Sequence, residues 1–492
     1  MKFSFTQKDF IELNDNPEKL AVSGDDFDLS WDAFSERVNQ LCHFLQEEQL
    51  TELEKPVIIY GHKSANMLVA VYAMIKLQIP YIPIDIVYPK ERVVKIRSIA
   101  QSELILNTTE TPLDIAVCTE IMLSQQETRL LQKFPVSYRK KLPDDPLIYL
   151  IFTSGSTGEP KGVQISTEAV QSFTRWMTSD FGFHSDDVFM NTAVLSFDLS
   201  VFEVMTFGAL GASIILNNKN CYADPDLLMD RVQRYQGSVW VSTPSFALIY
   251  SRMKEEKRLQ SLKTFLFCGE VLPHDLAKNL LNNYSHAKVI NTYGPTEATV
   301  ATTIIEIDQD IIDRYNPLPV GYSKPESHLV VEDEEIIIVG PNVSTGYLNA
   351  PELNQQKFTN IDGLRAFRTG DQGYLEDGLL FFNGRNDDLV KLHGYRIELN
   401  EISRAINDLD YVLHGETIAL KRGGIVKKIV SLVKLSKNEE QKGLDLKQIK
   451  QDLSLTLPPY MIPSDILFVE EIPLNQNGKA DKKQLLERYL RR

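Results

Sequence analysis

The sequence predicts an α/β protein of doubly wound sheets, followed by a strand-rich subdomain and a small C-terminal α/β domain. Three observations carry that reading. Short apolar runs alternate with helical patterns through roughly the first 300 residues, the signature of parallel sheets covered by helices. Three of those runs, close together, end in polar or unusual residues. Near residue 388 a stretch dense in Gly/Asp turns gives way to a fresh alternation of helices and strands.

Taken in order, Ser30 is a helix cap, with Phe34, Val38, Leu41, Cys42 and Leu45 on one face of a helix reaching Gln46. Val57–Tyr60 reads as a buried strand, Asn66–Leu77 as a buried helix, and Tyr81–Asp85 and Leu104–Leu106 as further strands. The apolar run Leu147–Phe152 then meets a Gly- and hydroxyl-rich loop, Thr153 to Gly162. Glycines 155, 158 and 162 free its backbone for close approach to a ligand. Four hydroxyls and Lys161 supply donors suited to a phosphate chain. The loop lacks the Gly-Lys-Ser/Thr ending of ordinary NTPase loops, because Pro160 precedes Lys161. Taken alone, such a loop is more often a flexible polar turn.

Val239–Val241, Phe265–Phe267 and Val289–Ile290 are strands that end at Ser242-Thr243-Pro244, Cys268-Gly269-Glu270 and Asn291 to Glu297. Ligands of open parallel sheets collect beyond the carboxyl ends of strands, so these three ends point to one crevice. Residues 318–383 are rich in strands, Ile336–Val339 the clearest, and Gly384 to Asp388 reads as a linker. The last segment predicts a helix near Asn400–Asn407, strands Thr417–Leu420 and Ile429–Val433, a helix near Leu446–Leu455, and a basic tail.

At 492 residues the chain exceeds one compact core. Its hydrophobic fraction of 43% is that of a soluble globular protein. A net charge of −15 argues against a general nucleic-acid or anionic-membrane binder. Cys42, Cys118, Cys221 and Cys268 lie far apart, which suits a reducing compartment and supports no zinc site. The N-terminal residues lack the pattern of a signal peptide, and the most apolar window, Ser64–Ile75, is too short to span a bilayer. The expectation is a cytoplasmic protein that is not an integral membrane protein.

Taken together, several ordered stretches resemble the adenylate-forming superfamily, and within it the amino-acid adenylation enzymes. Ile75-Lys76-Leu77 with Tyr81–Asp85 resembles an early family motif, with Gln78 or Ile79 where that motif has Gly. The Thr153–Gly162 loop, Asn291–Glu297, Arg368–Asp371, Gly384-Arg385 with Asp387, and Asn477-Gly478-Lys479 complete the set. Val241–Phe246, Phe267–Pro273, Asn291–Val300 and Lys391–Arg396 are most similar to the branch that activates D-alanine for teichoic-acid D-alanylation. Val201–Thr206 departs from that branch, which has a Val-Met-Asp-x-Tyr-Pro-like segment there.

The resemblance implies that a carboxylate attacks the α-phosphate of ATP, giving an aminoacyl-adenylate, and that a carrier-protein phosphopantetheine thiol then displaces AMP. It implies a large adenylate-forming core over 1–383, a hinge at 384–387 around Asp387, and a mobile domain over 388–492 that carries Lys479. Thr153 and Ser154 would hold the β- and γ-phosphates, and Lys161 would steady their loop. Asn291, Thr292, Tyr293, Gly294, Pro295 and Thr296 would line the adenine and α-phosphate side. Asp371 would bind the ribose hydroxyls, with Phe382, Asn383, Gly384 and Arg385 nearby. Glu297 would be the Mg²⁺ ligand, and Lys479 the catalytic lysine bridging substrate carboxylate, α-phosphate and ribose. Asp198 would bind the substrate ammonium; a carboxylate between Phe197 and Leu199 is costly to bury without a cation. Cys268 and Val300, with Leu266, Thr292 and Ala301, would shape a pocket for D-alanine. The altered Val201–Thr206 segment keeps open an adenylation enzyme that loads a different small amino acid. Outside that reading, Glu297 is an ordinary helix-capping carboxylate, Asp371 a turn Asp and Cys268 a core residue.

Overall fold

The computed structural model describes residues 16–50, 55–126, 145–155, 159–251, 256–385, 388–422, 425–436, 445–473 and 480–491. These residues form two compact units. The first draws on 1–85, 99–151 and 162–384, the second on 86–98, 152–161 and 385–492. Packing thus groups 86–98 and the phosphate-loop candidate with the C-terminal segment, where the sequence reading kept them in the N-terminal core.

In the first unit the largest sheet has a parallel centre ordered Ser213–Leu216, Val188–Asn191, Val239–Ser242, Thr264–Phe267 and Lys288–Tyr293. Antiparallel strands extend it through Thr303–Glu306, Gly321–Ser323, Leu379–Arg385, Leu364–Glu376 and Glu335–Val339. A second sheet holds Val57–Gly61 between Leu104–Asn107 and Tyr81–Asp85, all parallel, with Leu147–Thr153 beyond.

The helices follow their sequence signals. Ser30 Oγ accepts the Ala33 N–H, and helix Trp31–Glu47 buries the predicted stripe. Helix Ala65–Leu77 is apolar on nearly every face and accordingly buried. Its cap, Gln78, has φ of +57°, so the left-handed position that the family motif fills with glycine is Gln78 rather than Ile79. A left-handed non-glycine residue costs about 1–2 kcal/mol, here absorbed by the buried helix before it.

In the second unit, strands Leu389–Leu392 and Tyr395–Glu398 form a hairpin whose turn, His393-Gly394, has both φ values positive. That is the turn geometry matching strand twist. Helix Leu399–Asn407 follows directly and packs Ile402 and Ile406 against Ile429, Val433, Ile449 and Met461. The end of the chain corrects the expectation of a basic tail. Lys482–Leu490 is a helix, capped by Asp481 through the Lys483 and Gln484 N–H groups. Leu485 is fully buried there against Ile418, Val430 and Leu432. Flanking lysines masked a short apolar face in the sequence.

Candidate active site

In the first unit the predicted strand ends line up. Ser242 lies opposite Phe267, and Phe267 opposite Asn291, so Thr243 and Cys268 leave the sheet beside Thr292, whose strand runs on to Tyr293. Side chains strap these ends together: Thr292 Oγ1 donates to the Phe267 carbonyl at 2.8 Å and Asn291 Nδ2 to Pro319 at 2.8 Å. Cys268 is buried, its Sγ 3.8 Å from the Val300 carbonyl, so the two predicted pocket residues touch.

Val300 itself is unusual. It has φ of +70° and follows Thr299 at +52°. A β-branched residue in that region is strained, and such strain persists only where neighbours over-determine it. Asn342 supplies that restraint. Its carbonyl accepts Thr299 Oγ1 at 2.7 Å, and its Nδ2 donates to the Ala298 carbonyl and Thr302 Oγ1, each at 2.9 Å. Gly294 lets the turn fold back: a Cβ there would lie 2.5 Å from Ala301 Cα.

Three of the predicted nucleotide residues meet. Tyr293 Oη donates to Asp371 Oδ2 at 2.6 Å, and the Tyr293 ring lies 6.0 Å from that of Phe382. Thr369 Oγ1 accepts the Asp371 N–H, so Asp371 is a held carboxylate rather than a loose turn residue. Pro295 and Thr296 are buried, Asn383 is exposed, and Gly384 and Arg385 close strand Leu379–Arg385.

Glu297 is fully buried inside the short 3-10 turn Thr296–Ala298, so it is not a helix cap. Tyr347 Oη donates to Glu297 Oε1 at 2.5 Å, and Ser344 donates its N–H to the Glu297 carbonyl at 2.8 Å. Among the described residues there is no cluster of three or more His, Cys, Asp or Glu side chains suited to a metal. One buried carboxylate is nevertheless a donor that fits Mg²⁺, which takes one or two carboxylates and fills its shell with water and phosphate oxygens. Sequence reasoning missed Tyr347 and Asn342. Both lie in Pro341–Tyr347, which reads as an ordinary turn without periodicity.

Asp198 opens the 3-10 turn Asp198–Ser200 and is 7% exposed. Burial pushes the nearby Tyr149 phenol well above its usual value, and the charge of Asp198 adds to the shift. Tyr149 lines a small apolar cavity with Tyr81, Leu195, Val201 and Val204. The altered segment is divided, with Val201 and Val204 on that cavity and Phe202 and Glu203 turned into the core. Phe202 packs on Phe173 and Phe181, and Glu203 Oε2 accepts Asn191 Nδ2 at 2.5 Å. Sequence reasoning also missed the partner of that carboxylate. Lys63 is fully buried, donates to the Thr192 carbonyl at 2.7 Å and interacts electrostatically with Glu203.

In the second unit the phosphate-loop candidate meets carboxylates. Ser154 Oγ donates to the Arg396 carbonyl at 2.8 Å and accepts the Glu398 N–H at 3.1 Å. Gly155 donates its N–H to Glu401 Oε2 at 3.2 Å, and Lys161 Nζ lies 3.8 Å from Glu398 Oε1. Arg92 Nη1 completes the cluster, 2.6 Å from Glu401 Oε1 with both side chains 4% exposed. Thr153 Oγ1 is buried with no hydrogen-bond partner among the described residues, a hydroxyl fitted to an acceptor such as a phosphate oxygen. Ser156–Gly158, the hinge residue Asp387 and the catalytic candidate Lys479 lie outside the described residues.

Residues 11–348 match the model of the AMP-binding enzyme family. The chain belongs to that family. It is 38% identical to D-alanine--D-alanyl carrier protein ligase of Bacillus cytotoxicus, over 96% of this chain and 97% of that one. It is also 38% identical to the ligase of the same name from Bacillus licheniformis, over 99% of both. Solved AMP-binding enzymes share the fold. The Vibrio cholerae adenylation domain AlmE, in complex with glycyl-adenosine-5'-phosphate, matches with a TM-score of 0.82 at 20% identity, covering 100% of this chain and 99% of that one. An artificially fused adenylation–PCP di-domain from Klebsiella oxytoca matches with a TM-score of 0.84 at 19% identity, over 95% and 94%. No described helix of this family member is long and apolar enough to cross a membrane.

Proposed function

We propose that this AMP-binding enzyme is an AMP-forming ligase that activates D-alanine. ATP and D-alanine give D-alanyl-adenylate and pyrophosphate, and the acyl group then passes to the phosphopantetheine thiol of a carrier protein. The observation that carries this reading is near-full-length identity of 38% to ligases named for that reaction. In the cell it would be a cytoplasmic first step toward lipoteichoic acid D-alanylation.

The site supports a division of labour. Asp198, a mostly buried carboxylate, holds the substrate ammonium; the Cys268–Val300 contact forms a rigid wall that sorts side chains by size and hand. Asp371, oriented by Tyr293 and Thr369, accepts the ribose hydroxyls, while Tyr293 and Phe382 offer aromatic surface to the purine. Thr153 and Ser154 would hold the β- and γ-phosphates: Thr153 Oγ1 has no hydrogen-bond partner among the described residues, whereas Ser154 Oγ would exchange its bond to the Arg396 carbonyl for one to a phosphate oxygen. Glu297 would hold Mg²⁺, which when bound neutralises phosphate charge. Lys479 would stabilise the charge that develops as the carboxylate meets the α-phosphate. Residues 384–387 would be the hinge and 388–492 the mobile body delivering Lys479.

Amino-acid-dependent pyrophosphate exchange tests this. D-alanine should support exchange well above L-alanine, glycine and D-serine, and Asp198→Asn should depress exchange with all four, since each carries the ammonium that Asp198 would hold. Exchange with another amino acid and none with D-alanine would overturn the assignment. That rival keeps some support from Val201–Thr206: Phe202 and Glu203 are engaged within the core, but Val201 and Val204 line the small cavity with Tyr149.

A further inference from the structure

Tyr347 is buried, and its hydroxyl reaches the one carboxylate proposed here for the metal. Its position is fixed from several sides. The Tyr347 N–H donates to Asn354 Oδ1 at 2.7 Å, and Asn354 Nδ2 returns a bond to the Tyr347 carbonyl at 2.8 Å. The ring packs edge-on against Phe358, with centroids 5.4 Å apart. Val163, on the strand that leaves the phosphate loop, bridges to Tyr347 as an isolated antiparallel pair. Nearby, the Ser344 N–H holds the Glu297 carbonyl, so main chain and side chain of Glu297 are gripped by one short segment.

A carboxylate that binds a cation needs its two oxygens aimed, and each must keep its electron density. A phenol suits that task. It donates one directional hydrogen bond to Oε1 without cancelling the charge, as an ammonium or guanidinium would. A tyrosine needed only for packing would not require its hydroxyl here, since Phe358 and the buried ring supply the contact area.

We infer that Tyr347 is a positioning residue for the divalent metal: its phenol orients the Glu297 carboxylate toward the cation that accompanies ATP. This rests on the reading of Glu297 as the Mg²⁺ ligand, and the experiment separates the two. Partners that orient metal ligands typically change metal affinity by about 10–100-fold when removed. In Tyr347→Phe the Mg²⁺ concentration giving half-maximal pyrophosphate exchange should rise by about tenfold, with the D-alanine KM unchanged. Binding of Mn²⁺·ATP, followed by the electron paramagnetic resonance of the manganese, should weaken by a similar factor. Binding of ATP in excess EDTA should stay the same. Asn354→Ala, which loosens the Tyr347 backbone and keeps the phenol, should move the metal dependence in the same direction by less, and serves if Tyr347→Phe folds poorly. Glu297→Gln is the control. If it leaves the metal dependence unchanged, Glu297 is not the ligand and the underlying reading falls. If Glu297→Gln shifts metal dependence while Tyr347→Phe and Asn354→Ala do not, Tyr347 has no positioning role.

Discussion

Glu401→Ala probes the most consequential contact of the second unit. Glu401 and Arg92 are each 4% exposed and 2.6 Å apart, and Glu401 also accepts the Gly155 N–H. Removing the carboxylate leaves a guanidinium buried and unpaired, which costs about 3–5 kcal/mol. The lost bond to Gly155 adds about 1 kcal/mol. Relaxation and water entry reduce the total, so we expect about 4 kcal/mol. Tryptophan fluorescence is blind to this change, because Trp31, Trp176 and Trp240 all belong to the first unit. Amide hydrogen exchange across helix Leu399–Asn407 reads it directly. At about 1.4 kcal/mol per tenfold, protection there should fall by two to three decades. The paired replacement Arg92→Met with Glu401→Leu removes both charges and should recover most of the loss, since a buried ion pair gains little over packed apolar groups. A loss of protection below tenfold in Glu401→Ala would refute the reasoning. So would a double variant as unstable as the single one, because the damage would then not come from the stranded charge.

Two further outcomes follow from the first unit. Burial raises Glu203 to about 8 against the Asn191 bond and Lys63, and burial lowers Lys63 to about 7 against Glu203 and Asp85. The native state therefore keeps the Glu203 proton from pH 4.5 to 8 while the unfolded chain loses it, so stability falls with rising pH there. Lys63 acts oppositely: the native state sheds its proton near 7 and the unfolded chain only near 10.5, so stability recovers over that window. Relative to Lys63→Met/Glu203→Gln, the native sequence should lose stability from pH 4.5 to 7, stay level to 8 and regain it above, with limiting slopes near 1.4 kcal/mol per pH unit. Urea unfolding at pH 5.5, 7.5 and 9.5 checks this, and a pH-independent difference would sink it. Gly294→Ala would set a Cβ 2.5 Å from Ala301 Cα and 2.9 Å from the Val300 carbonyl, both backbone. We expect about 1–3 kcal/mol of destabilisation and a raised KM for ATP; unchanged thermal unfolding and KM would show that the turn yields freely.

Much of the fold was legible because its signals are local. Ser30 and its apolar stripe and the β-branched runs follow from chain chemistry within a few residues. The shared crevice was legible too, as polar residues ended neighbouring apolar runs. What escaped depends on contacts far apart in sequence. Nothing near Tyr347 announces a bond to a carboxylate 50 residues earlier, and Asn342 reaches back to Thr299 in the same way. The buried pair of Lys63 and Glu203 went unread as well, because burial of an ionisable group is decided by tertiary packing. The final helix escaped for the opposite reason: Lys482, Lys483 and Arg488 are as many as the apolar residues Leu485, Leu486 and Tyr489 that it presents to the core.

The backbone passes between the two compact sets of residues at 85/86, 98/99, 151/152, 161/162 and 384/385. For anyone building chimaeras, this means that a graft joined at the last of these points carries Glu401 and Glu398 into the hybrid while Arg92, Ser154 and Lys161 stay with the host. A donor and host that differ at those positions would clash in charge without any fault at the seam. The transplantable cassette is therefore three pieces of chain, and compatibility should be judged on residues 86–98 and 152–161 before a linker is ever optimised.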